Sequence, residues 1–107
     1  MAEMMIWLTF IAAAMLEVGG DAVTRMGLRN SRWLYVLSGA LMLGLYGIVV
    51  NTVRWDFSKL LGVYVAFFAL VSVLTGALFF RESIPSSTWL GLGVIMLGGL
   101  IIQFGPK

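Results

Sequence analysis

Four long apolar runs, separated by short stretches that hold nearly every basic residue, leave this chain few ways to fold. They cover about residues 4–24, 33–53, 60–80 and 87–104. Each is close to the roughly 20 residues that a helix needs to cross the hydrocarbon layer. Charged residues make up 11% of the 107 and apolar residues 61%, whereas a soluble domain carries about 25% charged residues. The expectation is an all-α membrane protein, a single four-helix transmembrane domain over 1–107 with no separate catalytic or regulatory domain. The first run contains Ala12, Ala13 and Ala14, small residues of the kind that precede a signal-peptide cleavage site. It has Glu3 where a basic n-region would stand and stays apolar to Val23, so it reads as a retained helix.

The chain has no cysteine and no histidine. That removes disulfides, thiolate chemistry, the commonest metal ligand and the usual general base. No enzyme activity, metal or cofactor is expected. Seven basic residues stand against five acidic ones with no block of like charge. They read as interfacial anchors rather than a nucleic-acid surface.

The connections, about 25–32, 54–59 and 81–86, are short, so consecutive helices run antiparallel. Arg25, Arg29, Arg32 and Arg81 then fall on one side of the membrane, and Arg54, Lys59 and Lys107 on the other. Orientation follows the Lys and Arg bias of the connections, and four against three is hardly a bias. The chain is expected to insert both ways and to pair as an antiparallel, dual-topology homodimer, the inverted-repeat logic of transporters made from two chains. The alternative is that loop spacing or lipid fixes one orientation.

Association of membrane helices depends on small residues that let backbones approach. In the fourth run, WLGLGVIMLGGLIIQF, Gly91 and Gly98 are seven apart and Gly99 widens the stripe, which suggests a contact between chains. The second run has Ser38, Gly39, Gly44 and Gly47. The third offers Tyr64, Phe67 and Phe68 beside Gly62, with Ser72 and Thr75. Such an aromatic stripe is more often packing than a ligand cage, but aromatic faces with a carboxylate are what an apolar cation requires. Pro85 with Ser86, Ser87 and Thr88 reads as a turn in which a hydroxyl caps the last helix, and Arg81 and Glu82 before it are expected to be solvated.

The two carboxylates of MLEVGGDA are the sharpest feature. Ala13, Ala14, Gly20 and Thr24 share a helical face with Glu17, which predicts a gap lined by small residues. Glu17 lies near the middle of its run, where a charge costs about 2.5 to 3.5 kcal/mol. No basic residue stands one turn away, and Arg25 is eight residues on, about 12 Å along the axis. Desolvation there favours the protonated carboxyl, a group able to exchange its proton for a cation. Asp21 is nearer the interface, with Arg25 four residues on at the spacing of an intrahelical ion pair. It reads as a paired, partly hydrated anchor.

Across nearly its whole length the chain resembles the small multidrug resistance family of the drug/metabolite transporter superfamily. The resemblance rests on four helices in this length, LEVGGDAVTRMG in the first, FFRES before the fourth and GVIMLGG within it. It implies antiparallel homodimers of the inner membrane that exchange protons for small or amphiphilic organic cations. It places the essential carboxylate at Glu17, the following glycine at Gly20 and the basic residue at Arg25. It places a substrate-contacting aromatic at Tyr64 and the dimerisation helix at Gly91 and Gly98. Departures are Asp21 for a hydroxyl residue, Leu61 for a tyrosine, Tyr64 for a tryptophan, and a second helix whose tyrosine, Tyr46, is only near the family position. Gly20 stands where guanidinium exporters have tryptophan, which argues against that substrate. The stretch RWDFSKLLGVYV also looks like the YnfA-like family of small four-helix membrane proteins.

The expected function is a proton-coupled antiporter in which Glu17, with Gly20, Asp21, Tyr46, Tyr64 and Phe67, forms the proton and substrate site. The alternative is a translocase for a lipid carrier or lipid-linked sugar, or an accessory membrane subunit, in which Arg29, Arg32 and Arg54 hold phosphate.

Overall fold

The computed structural model describes residues 2–106, so Lys107, assigned above to the second basic side, lies outside the described residues. Four helices are long and apolar enough to cross a membrane. They are α1 (Ala2–Arg29), α2 (Trp33–Val50), α3 (Phe57–Leu78) and α4 (Ser86–Phe104).

The ends of the helices differ from the apolar runs for local reasons. Helix α1 continues through Arg25 and Arg29 and closes only when Ser31 takes a left-handed φ of 55°. The Arg32 N–H then donates to the Gly27 carbonyl at 2.8 Å, a Schellman closure. The first connection therefore shrinks to residues 30–32. Helix α2 stops at Val50 rather than at 53, because side chains just beyond it serve its last carbonyls. Asn51 Nδ2 donates to Gly47 O at 2.8 Å and Thr52 Oγ1 to Val49 O at 2.6 Å. Helix α3 begins at Phe57, which puts Lys59 in its first turn rather than in a connection, and leaves Phe79 and Phe80 outside. The hydroxyl cap expected on α4 is not formed: Pro85 is itself the N-cap, and its carbonyl accepts from Thr88 and Trp89. Ser86 is already inside the helix, too late to cap it. Arg81 and Glu82 are exposed, as expected.

The chain divides into two compact units, one through Arg54 that pairs α1 with α2 and one from Trp55 that pairs α3 with α4. In the first hairpin the small residues of α1 meet α2 at backbone distance. A Cβ added at Gly39 would sit 2.7 Å from the Gly20 carbonyl oxygen and 2.9 Å from the Thr24 nitrogen, and would run into Thr24 Oγ1. A Cβ at Gly27 would sit 2.8 Å from the Val36 nitrogen, and one at Gly20 would sit 3.0 Å from Leu43 Cγ. Each step back along α1, from Gly27 to Thr24 to Gly20, matches an equal step forward along α2, from Val36 to Gly39 to Leu43. This antiparallel register brings the next pair, Glu17 and Tyr46, opposite each other. The step after that reaches Ala13 and Val50, both buried.

In the second hairpin a Cβ at Gly99 would sit 3.2 Å from Ala66 Cβ, and one at Gly62 would sit 2.8 Å from Ile102 Cδ1. Leu60, Val63, Tyr64 and Leu92 are buried in this unit. Helix α3 ends with the Phe79 and Phe80 N–H groups on the Thr75 carbonyl and the Glu82 N–H on Gly76. The Glu82 carboxylate folds over Gly76, where a side chain would collide with it. Gly91, Gly93 and Gly98 have nothing within 4 Å of an added Cβ. The stripe read as continuous therefore splits: Gly99 packs inside its own hairpin, and Gly91 and Gly98 face outward.

Candidate functional site

The first hairpin holds Glu17, Gly20, Asp21 and Tyr46. Glu17 is within two residues of the midpoint of the 28-residue α1, closer to the middle than the shorter run implied. It is only partly buried within the chain, so the hairpin by itself does not supply the burial expected at that depth. Nor does it look into an empty gap. Gly20 and Thr24, expected to leave room beside it, are filled by the Gly39 backbone and Leu43. The reason is that small residues in membrane helices serve close helix packing first. What remains beside Glu17 is Tyr46, which lies within electrostatic reach of the carboxylate and carries a hydroxyl able both to donate and to accept. Asp21, one turn on, is exposed, as is Arg25.

The second hairpin holds Tyr64 and Phe67. Tyr64 is 3% exposed, a core side chain of its hairpin, and Phe67 is half-buried. Ser72 Oγ donates to the Phe68 carbonyl at 2.7 Å, the local bond that hydroxyls make in helices without water. Ser38 on α2 does the same to Leu34 at 2.8 Å. Among the described residues, no three side chains of the metal-binding kinds come together.

Sequence reasoning missed two buried polar atoms, Thr24 Oγ1 and Gln103 Oε1, which have no hydrogen-bond partner among the described residues. Their signal was present as isolated polar residues within apolar helices. It also missed two cation–aromatic pairs at helix starts. Arg32 Cζ lies 5.5 Å from the Tyr35 ring centre, and Lys59 Nζ lies 4.3 Å from that of Trp55. Basic heads lodged on aromatic rings at helix ends are what interfacial anchoring looks like.

Four apolar spans, interfacial anchors and backbone-close helix seams define a multi-pass membrane protein. The chain belongs to the YnfA/UPF0060 family, described as "Uncharacterised BCR", which it matches over residues 4–107. It is similar to the UPF0060 membrane protein YfjF of Bacillus subtilis (strain 168), with 30% identity over 102 residues and 94% of each chain covered. It is also similar to a UPF0060 membrane protein of Mycolicibacterium gilvum (strain PYR-GCK), at 33% identity over 104 residues and 94% of each chain. A third relative, from Mycobacterium marinum (strain ATCC BAA-535 / M), is 33% identical over 103 residues, covering 94% of this chain and 93% of its own. No solved structure matches the chain. Of the two resemblances, the one carried by RWDFSKLLGVYV gives the family. The likeness to the small multidrug resistance family lies in topology.

Proposed function

We propose that this protein is a transporter of the small multidrug resistance kind, exchanging protons for a small or amphiphilic organic cation at Glu17. The observation that carries the reading is a carboxylate near the midpoint of a membrane-spanning helix, half-buried in its hairpin and opposite Tyr46 in the register of α1 with α2. Ionisable groups inside membrane helices mark ion and substrate pathways. Proton release from Glu17 favours cation binding, and reprotonation favours cation release. Tyr46, on the neighbouring helix of the same hairpin, orients the carboxylate.

The functional unit in this reading is an antiparallel, dual-topology homodimer in the inner membrane, held through the outward glycines Gly91 and Gly98. It has no enzymatic activity, and its two copies of Glu17 titrate in two coupled steps. Proton-coupled uptake of a cationic dye into proteoliposomes tests the exchange. Glu17→Gln abolishes transport and the accompanying proton release, whereas Asp21→Asn retains most of both. Transport indifferent to Glu17→Gln would sink the mechanism and favour the lipid-carrier translocase instead.

A further inference from the structure

The turn between α1 and α2 holds a cleft of about 320 Å³ lined by Gly27, Leu28, Ser31, Arg32, Trp33 and Val36. None of these residues takes part in the exchange reading. We propose that this cleft binds the headgroup of an anionic phospholipid from the surrounding bilayer.

Charge complementarity is the first argument. No acidic residue occurs between Asp21 and Asp56, while Arg25, Arg29 and Arg32 fall within eight positions, all exposed. Clustered basic residues at the end of a membrane helix attract anionic headgroups by about 1 kcal/mol each. Arg32 lies in the cleft wall, and its guanidinium is held against the Tyr35 ring, so less freedom is lost when its planar fork meets a phosphate. Arg32 is also the N-cap of α2 and makes no capping side-chain bond.

The choice of a lipid over a free phosphate comes from the apolar part of the wall. Leu28 is 68% exposed and Trp33 is 72% exposed, and both stand beside the cation. A soluble anion satisfies Arg32 alone. A phospholipid places phosphate on Arg32 and Ser31 and lays its glycerol and first methylenes along Leu28, Val36 and Trp33. Trp33 begins α2, the level at which tryptophans gather at the membrane–water boundary.

The test uses the full chain in lipid nanodiscs containing phosphatidylcholine and phosphatidylglycerol, with one lipid or the other brominated on its acyl chains. The Trp33 signal is the difference between wild type and Trp33→Phe. Expected is an enrichment of phosphatidylglycerol over phosphatidylcholine at Trp33 of about fivefold at low salt. Arg32→Gln should cut the enrichment at least in half, leaving the weaker pull of Arg25 and Arg29, and Arg54→Gln should leave it unchanged. Equal quenching by the two lipids in wild type overturns the proposal without recourse to any variant, and an enrichment that Arg32→Gln leaves undiminished overturns it as well. Loss of the preference on adding millimolar inorganic phosphate at constant ionic strength identifies a free-anion site and overturns it too. No transport is measured, so the result stands apart from the fate of the Glu17 reading.

Discussion

Gly39 is the residue on which the first hairpin turns. Its missing side chain is the space in which the Gly20 carbonyl, the Thr24 amide and the Thr24 hydroxyl sit. Backbone atoms cannot move aside as a flexible side chain can. Gly39→Ala is therefore expected to destabilise the protein by about 1 to 3 kcal/mol, the range of overpacked sites. Gly44→Ala, five residues on with open space around it, should be neutral or slightly stabilising, because alanine is the better helix former by up to about 1 kcal/mol. Denaturant titration in detergent, followed by circular dichroism, separates the two. Ser31 makes the opposite case, since it holds a positive φ that glycine adopts freely. Ser31→Gly should raise stability by about 1 kcal/mol and Ser31→Val should lower it. Glu17 was legible in the sequence because a carboxylate among Met, Leu, Val and Gly has no bland explanation. Its neighbour was less so: Tyr46 and Tyr64 were both candidates, and only the hairpin register sets Tyr46 opposite the carboxylate. Nor could the sequence tell whether Gly20 leaves a gap or fills a seam, because a small residue is compatible with both.

At the level of elements, hydropathy located four helices but not their ends. Apolar periodicity is blind to where backbone carbonyls find their last partners. Arg25 and Arg29 look like loop residues by charge and are helical because nothing before Ser31 breaks the ladder. Val53 looks helical by hydropathy and is not, because Asn51 and Thr52 turn their side chains back onto α2. The glycines of α4 show the same limit, being adjacent in sequence and different in task. Gly99→Leu should disrupt the α3–α4 pair, where Ala66 leaves no space. Gly98→Leu should leave the unfolding midpoint within error while reducing the cross-linked dimer, if α4 forms the interface between copies. Cross-linking in membranes alongside thermal unfolding reads both. A Gly98→Leu protein that unfolds as early as Gly99→Leu would show that the two glycines share one interior face.

For the whole molecule, orientation is the property most open to a direct test. Over the full sequence, Arg25, Arg29, Arg32 and Arg81 against Arg54, Lys59 and Lys107 do not lean strongly to one side, and longer α1 does not change which connections they flank. C-terminal reporters active only in the cytoplasm, and others active only outside it, should both give signal from one population. Moving the balance by Arg54→Gln and Lys59→Gln should drive the population to one orientation. Reporters confined to one side in the unaltered chain would remove the antiparallel dimer. This property is legible in the sequence because the charge of each connection is fixed by its residues alone. Helix packing beyond each hairpin is a different matter, since apolar faces say that they will be covered without saying by what.

Each hairpin closes on itself through neighbours in the chain, and that bears on how the protein is made. Gly39 meets Gly20 and Thr24, and Gly99 meets Ala66, so every one of these seams joins segments that leave the ribosome in succession. Contacts so local form quickly. Translation adds roughly 5 to 20 residues per second, so the stretch from Trp55 onward takes roughly 3 to 10 s to emerge. The first seam has that interval in which to zip while the second is still being synthesised. A nascent chain stalled far enough beyond Arg54 for α2 to clear the ribosome should already resist labelling of a cysteine placed at position 50, where Val50 is buried.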